Sequence, residues 1–291
     1  MSPLTRRRFL QATVAIAATG ALALGDDAIF REPNHPRLVR VELLLTRWPA
    51  ALDGFTIIQL SDFHYDVYFS AAPLRAAIEI VKNLHPDLVV LTGDFVTVPV
   101  LGGFRHVKKR AAGVIEPCSA LLAQLNPRLG MFAILGNHDV DSDPGRIAAT
   151  LQFHNIPVLR NASLPIEQAG ARFWLSGLDS AMEGKPNLDL ALRQVPQNEP
   201  VVLLVHEPDF ADQAALHSVD LQLSGHSHGG QIWLPGIGAP WLPEFARKYP
   251  RGLYTIGPLT LYTNFGLGTI RLPIRLNAPP EVTLFTLRAA K

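Results

Sequence analysis

The chain of 291 residues contains a single cysteine, Cys118. One cysteine rules out an intrachain disulfide framework and any zinc site built on several thiolates. A metal in this protein therefore has to be held by His, Asp, Asn or Glu. Cys118 falls in an apolar helical pattern and reads as an inert core thiol. Excess charge is lacking too: 26 basic and 25 acidic residues give a formal net charge of +1. Arg6, Arg7 and Arg8 are the only charged residues before Asp26, and without them 23 basic residues face 25 acidic ones, near −2. That balance argues against a general nucleic-acid binder, and no nucleic-acid surface is evident. Internal repeats are missing. Apolar residues make up 48% of the chain, enough for a sizeable core and too many for disorder. The length suits one large α/β domain or two small ones, and no second domain is marked.

The first 25 residues stand apart. Thr5-Arg6-Arg7-Arg8-Phe9-Leu10 precedes an apolar run at 12–24, which is rich in Ala and Gly and too short for a typical membrane span. A basic start, a modest apolar run and the small residues of Ala21-Leu22-Ala23 have the plan of a signal peptide. The order Thr-Arg-Arg-x-Phe-Leu resembles the twin-arginine export signal, which implies the export machinery as a partner and a place outside the cytoplasmic membrane. The alternative is an N-terminal membrane anchor behind a chance arginine cluster. Residues 26–37 read as a linker and 38–291 as the folded domain.

In the folded part, strands are expected at 39–45, 55–60, 88–91, 131–135, 173–178, 201–205, 221–224, 253–256, 259–263 and 282–287. Helices are expected at 73–84, 117–125, 188–195 and 208–216. The helix at 73–84 has Leu74, Ala77, Ile78, Val81 and Leu84 on one face. Another opens at Asp143-Pro144, an N-cap followed by Pro at the first helical position, and runs to about residue 153. Residues 99–113 read as a loop with a basic run. Early strands alternate with helices, which argues for an α/β fold with central sheets. Late strands follow closely on each other, which argues for antiparallel pairs near the end.

Five of these strands end in residues able to bind a metal or move a proton. The clusters are Asp62 with His64, Asp94, Asn137 with His138 and Asp139, His206, and His226 with His228. In open α/β sheets, sites collect at the carboxyl ends of strands. Asp62 and His64 are two residues apart, as are His226 and His228, so on an extended strand end each pair points one way. Gly136 lets the backbone turn and approach a ligand closely. A mixed oxygen and nitrogen donor set suits divalent Mn, Fe or Zn. A carboxylate can bridge two cations, and two cations about 3.5–4 Å apart clamp a phosphoryl group.

Asp62-x-His64, Gly93-Asp94, Gly136-Asn137-His138-Asp139, His206 and Gly225-His226-Ser227-His228 resemble, in order and spacing, the motifs of the calcineurin-like metallophosphoesterases. Gly225 to Gln231, with Leu272-Pro273, Arg275 and Pro279-Pro280-Glu281, resembles a narrower bacterial group of exported or anchored members. The resemblance implies an α/β four-layer α/β/β/α sandwich of two mixed β-sheets flanked by helices. It implies two divalent metal ions: one on Asp62, His64 and His228, the other on Asn137, His206 and His226, with Asp94 between them. It implies catalytic roles for His138, as proton donor beside the phosphate, and for Asp139, which would steady it. Thr97 stands where the family usually has a second Asp, which puts metal affinity in doubt.

The implied activity is hydrolysis of a phosphoester, as a phosphodiesterase using a metal-bridging hydroxide. Phosphomonoesterase or nucleotide-lipid pyrophosphatase activity is the alternative, and a non-catalytic binding protein the third reading. A lipid or cell-envelope phosphoester and peripheral membrane contact fit the export signal. Lys108, Lys109 and Arg110 are candidate contacts to an anionic substrate, with a solvated loop as the competing reading. The apolar, Pro-rich stretch at 233–245, with Trp233 and Trp241, is expected as a packed cover over the core. Its alternative is a lip that touches lipid.

Overall fold

The computed structural model of the chain describes residues 5–66, 68–99 and 105–290. It opens with helix α1 (Arg6–Asp26), exposed along nearly all its length. The helical path does not stop after the apolar run. It continues through a π turn, Asp27–Arg31, and a 3-10 turn, Glu32–Asn34. The stretch Leu10–Asn34 is therefore long and apolar enough to cross a membrane by length and composition, although the run at 12–24 alone is not. A signal sequence meets the same measure. The expected linker is built into the fold. Ala28 and Pro33 are buried, Arg275 N–H donates to Ala28 O at 2.9 Å, and the Glu32 carboxylate accepts from Asn277 N at 3.1 Å and Ala278 N at 2.6 Å.

The remaining elements in chain order are β1 (Arg37–Leu45), β2 (Phe55–Leu60), α2 (Ala71–Lys82), β3 (Leu88–Leu91), α3 (Arg105–Ala111), α4 (Ile115–Leu122), β4 (Met131–Ala133), α5 (Asn137–Ser142) and α6 (Pro144–Phe153). There follow β5 (Ala162–Gln168), β6 (Ala171–Gly177), α7 (Leu188–Leu192), β7 (Val201–Leu204), α8 (Ala211–Ala214), β8 (Leu221–Ser224), β9 (Gly252–Ile256), β10 (Leu259–Thr263) and β11 (Glu281–Ala289). One sheet has the order β1-β11-β2-β3-β4 and the other β5-β6-β7-β8-β10-β9. Both are mixed: β11 runs parallel to β1 and antiparallel to β2, and β10 runs parallel to β8 and antiparallel to β9.

The layering follows from which faces are apolar. Between the sheets lie Phe55, Ile57, Leu88, Val90, Phe173, Leu175, Val202, Leu204, Leu221 and Phe285, with Trp48 closing one end. Outside the first sheet, α2, α4 and α6 bury Leu74, Ile78, Val81, Cys118, Leu122, Ile147 and Leu151. Outside the second, α7 and α8 bury Leu188, Ala191, Ala211 and Ala214. Each fully buried aliphatic or aromatic side chain contributes about 1.5–3 kcal/mol. The result is the expected α/β/β/α sandwich of two mixed sheets.

Local signals act as expected in α2 and α6. Asp143 caps α6 by accepting Arg146 N–H at 3.1 Å, with Pro144 at its first position. Four elements differ from the sequence expectation, the first being α5, which occupies residues expected as a loop after Gly136. The loop expected at 99–113 contains α3, whose Lys108 is held by Asp141 of α5. The helix expected at 208–216 is a 3-10 turn, Pro208–Phe210, followed by the four residues of α8. Strand β5 has no counterpart in the expected elements. It is a sheet edge with only Ile166 buried, and it accommodates Pro165 because an edge strand can spare a donor.

The parallel strands β2, β3 and β4 lie side by side in one sheet, as do β7 and β8 in the other. Their carboxyl ends meet at one rim of the sandwich. Gln59 ties the sheets beneath it, donating to Ser224 O at 2.9 Å and to Thr92 Oγ1 at 3.0 Å.

Candidate metal centre

The chain leaves β2, β3 and β8 through backbone conformations that side chains seldom tolerate. Asp62, His64, Asp94, His226 and His228 have φ of 50°, 39°, 56°, 69° and 53°. Such residues cost about 1–3 kcal/mol each and persist where the surroundings over-determine them, commonly at functional sites. This corrects the expectation of an extended strand end. β2 stops at Leu60 and β8 at Ser224, so left-handed turns, not the strand pleat, bring Asp62 with His64 and His226 with His228 together. Asp62 N–H donates to Gly93 O at 3.0 Å and His64 N–H to Asp94 O at 2.9 Å, which locks two of these turns to each other. Two glycines permit the crowding. A Cβ on Gly136 would strike the Asp94 carboxylate, and one on Gly225 would strike Ser61 Oγ and the Asp62 carboxylate.

Asp94 sits at the middle. Its Oδ1 accepts His138 N–H at 2.9 Å. Its Oδ2 lies 3.2 Å from His206 Nε2 and 3.5 Å from His64 Nε2. Asp62 Oδ1 lies 3.4 Å from His228 Nε2, and His64 Nε2 lies 3.1 Å from that same nitrogen. Donor atoms of Asp62, His64 and His228 lie within 4.8 Å of one another, and so do those of Asp94, His206 and His226. The structure thus gathers the expected carboxylates and imidazoles into two adjoining triads, and Asp94, a member of the second, also faces His64 of the first. Asn137 opens α5 beside them, buried.

Hydrogen bonds set which nitrogen of each imidazole faces inward. His206 Nδ1 donates to Thr92 O at 2.6 Å, which leaves the Nε2 lone pair towards Asp94. His226 Nε2 donates to Glu244 O at 2.8 Å, which leaves Nδ1 inward. His64 Nδ1 lies 3.0 Å from Thr97 Oγ1, which leaves Nε2 inward. Thr97 therefore takes the supporting place with a hydroxyl instead of a carboxylate.

The donor set fits divalent cations on its own chemistry. Asn137 Oδ1 is buried without a hydrogen-bond partner, and an unpartnered buried polar atom costs about 1–3 kcal/mol; His206 Nε2 is buried with the Asp94 carboxylate facing it, at 3.2 Å. Burial resists a charged His206, but the Asp94 carboxylate overrides it and holds the imidazole well above its ordinary value. Burial likewise resists ionised Asp94, and His206 and His138 carry it well below. His64 and His228 are pushed well down, first by burial. Asp62 and Asp94 supply the anionic donors, and a proton on His206 has to leave before its Nε2 can hold a cation.

His138 faces the same space. Its Nδ1 accepts Val98 N–H at 3.0 Å, so the neutral ring carries its proton on Nε2. Its ring meets that of His64 edge-on at 5.0 Å, and one of its nitrogens groups with His64 and Asp94 within 4.8 Å. The expected support of His138 by Asp139 is a correction. The Asp139 carboxylate is fully buried and accepts Phe95 N–H at 2.9 Å, Val96 N–H at 3.2 Å and Gly136 N–H at 2.9 Å. Consecutive residues in α5 point in different directions, so Asp139 braces the β3 and β4 loops while His138 faces the cleft. Burial and the Asp94 carboxylate push Asp139 up to about 8, against the pull of the backbone donors.

The centre opens into a cleft of about 360 Å³ whose walls include Asp94, Asn137, His138, His226 and His228. Of the basic candidates, Lys108 lines this cleft, where its ammonium is 2.5 Å from Asp141 Oδ1. Lys109 and Arg110 are exposed on α3 away from it. The stretch at 233–245 is another correction. None of its residues is fully buried, and Trp241, Pro243 and Glu244 line the cleft, so it forms a wall of the site and not a cover over the core. A loop without regular strand partners cannot bury its backbone polar groups in a core.

Glu207 went unnoticed in the sequence, and Arg275 was marked there only as part of a narrower group's pattern, without a role. Glu207, next to His206, is buried and accepts from Ser180 Oγ at 2.5 Å and Ala181 N at 2.9 Å, which anchors the loop that brings Met182 and Glu183 to the cleft. An acid directly after a strand-end His was the available signal. Arg275 is fully buried and donates to Ala278 O at 2.7 Å, Phe265 O at 3.0 Å, Gly266 O at 3.1 Å and Gly268 O at 2.5 Å. Gly268 N–H in turn donates to Asp62 O at 2.7 Å, so Arg275 braces the loop behind Asp62.

Comparison with known proteins agrees with this geometry. The profile of the family described as calcineurin-like phosphoesterase matches residues 55–230. A Bacillus subtilis (strain 168) protein named "Uncharacterized metallophosphoesterase YkuE" is 35% identical over 99% of both chains. An Escherichia coli (strain K12) protein named "Phosphodiesterase YaeI" is 33% identical over 98% of this chain and 99% of its own. A Bos taurus protein named "Transmembrane protein with metallophosphoesterase domain" is 29% identical over 98% of this chain and 64% of its own.

Proposed function

The chain belongs to the calcineurin-like phosphoesterase family, and from that premise we propose that it is a phosphodiesterase dependent on two divalent metal ions and acting outside the cytoplasmic membrane. One observation carries the reading: Asp94 Oδ2 stands between His206 Nε2 at 3.2 Å, which groups with Asp94 and His226, and His64 Nε2 at 3.5 Å, which groups with Asp62 and His228. Asp62, His64 and His228 would hold one cation, and Asn137, His206 and His226 the other, with Asp94 serving both. Cations held there would supply positive charge for the phosphate oxygens and would lower the pKa of a bound water.

The protein's own groups do the rest. Thr92 O, Glu244 O and Thr97 Oγ1 keep His206, His226 and His64 in the ligating tautomers. Val98 N–H keeps the His138 proton on Nε2, aimed into the cleft, where it can pass to a leaving alkoxide. Preference for a diester is supported by the E. coli relative that bears that name. A place outside the cytoplasm is supported by the Thr5-Arg6-Arg7-Arg8-Phe9-Leu10 pattern ahead of an exposed apolar helix, with the twin-arginine machinery as partner and a cell-envelope phosphoester as substrate.

The test is hydrolysis of bis(4-nitrophenyl) phosphate and 4-nitrophenyl phosphate by protein loaded with Mn, Fe or Zn, beside metal content. Two metals per chain, faster diester hydrolysis and loss of both on chelation are expected. Faster monoester hydrolysis would make it a phosphomonoesterase. Metal-loaded protein inert on both esters would make it a binding protein.

A further inference from the structure

We infer that the metal cleft continues into an apolar subsite for an alkyl or acyl arm of the substrate, so that the phosphodiester it takes is an amphiphile. This rests on the phosphodiesterase reading above. A second cavity, of about 190 Å³, adjoins the cleft and is walled by Ile232, Pro240, Trp241, Ile270 and Leu272. The two cavities share His228, Trp241, Ile270 and Arg271, so a group held in the smaller one remains within a single molecule's reach of the metal centre.

The lining selects the ligand chemistry. Of its polar side chains, His228 belongs to the metal centre and Arg271 to the border, while Gln231 is spent on the wall itself: Nε2 donates to Ile270 O and Leu272 O, both at 3.1 Å, and Oε1 accepts Ile270 N–H at 2.9 Å. Ser227 Oγ is occupied in the same way by Gly229 N–H at 3.0 Å. A nucleobase or sugar buried there would leave its own donors and acceptors unpaired, whereas a hydrocarbon has none to satisfy.

Arg271 marks the border. Its guanidinium lies 4.1 Å from the centre of the Trp241 ring and pairs with no carboxylate among the described residues. A cation at the junction of a metal cleft and an apolar cavity suits a ligand that is anionic at one end and hydrocarbon at the other. The rim continues the pattern outwards, with Trp241 47% and Leu272 57% exposed. A chain longer than the cavity would leave along this rim.

The test uses the metal-loaded full chain and 4-nitrophenyl alkyl phosphates from methyl to octyl, kept below micelle formation. In wild type, kcat/KM should rise roughly three- to four-fold per methylene over the first few and then level off. In Leu272→Asp and Trp241→Ala the octyl-to-methyl ratio, taken within each variant so that folding and metal loading cancel, should fall towards unity. Calorimetric binding of octyl and methyl phosphonate, which are not hydrolysed, should show the same preference and the same loss. A flat wild-type profile with the methyl ester still cleaved overturns the subsite and leaves the phosphodiesterase reading standing. If no ester is cleaved, that reading falls, and equal affinity for the two phosphonates overturns the subsite separately. A chain-length effect that survives both substitutions places the apolar contact elsewhere. Preference for a nucleoside ester over the octyl ester, lost in Trp241→Ala, makes the cavity a base site instead.

Discussion

Replacing Thr97 by Val tests whether a hydroxyl in place of the family's usual carboxylate sets metal affinity. His64 is buried, and its Nδ1 lies 3.0 Å from Thr97 Oγ1. When Nε2 binds a cation, the proton must sit on Nδ1, and Oγ1 is its acceptor. Valine keeps the shape and removes that acceptor. The buried N–H is then unpaired only in the metal-bound form, because the free imidazole can move its proton to Nε2. The penalty of about 1–3 kcal/mol therefore falls on metal binding. The expected result is a dissociation constant raised about 10–100-fold, in line with the usual effect of losing a partner behind a ligand. Thr97→Ser should restore affinity, and Thr97→Asp should tighten it by turning a neutral hydrogen bond into a charge-assisted one. The assay is competition against a chelator with metal counted per chain, followed by kcat at saturating metal. Wild-type affinity in Thr97→Val would refute the argument. A fall in kcat at saturating metal would show that Thr97 acts on the reaction and not through His64.

Asp94→Asn should lose at least one metal and nearly all activity with the fold intact, since Oδ2 alone faces both His206 and His64; two metals and normal turnover in that variant would remove Asp94 from its bridging place. His138→Gln should keep both metals and lose about 10²–10⁴-fold in rate on an alkyl diester. The loss should be smaller on an aryl diester, whose leaving group departs without a proton. Loss of a metal would make His138 a ligand, as its closeness to His64 and Asp94 allows. Replacing Arg6 and Arg7 by Lys should leave the protein inside the cell, measured by fractionation; unchanged export would sink the twin-arginine assignment.

The donor residues were legible because they stand at strand ends, and strand ends are readable from where an apolar run stops. Asp62, Asp94, Asn137, His206 and His226 each follow such a run. The layered fold was legible for the same reason: buried strands and one-sided helices advertise which faces need covering. Direction was not. Asp62 and His64 converge through left-handed turns held by Gly93 O and Asp94 O, and no local pattern announces a positive φ at an aspartate or histidine. Nor could sequence separate Asp139 from His138: both are polar neighbours after Gly136, and only the helical turn of α5 sends one to the cleft and the other to the Phe95 and Val96 amides. The walls of the cleft are furthest from local reading. Trp241, Arg271, Met182 and Lys108 come from four separate loops and helices, and Lys108 is distinguished from Lys109 only by which side of α3 meets Asp141. Sequence determined which groups the protein has for the chemistry, because residue type and strand ends are local properties. Tertiary structure decided which of them face one another, because contacts between distant segments depend on the packing of the two sheets and on every turn between them.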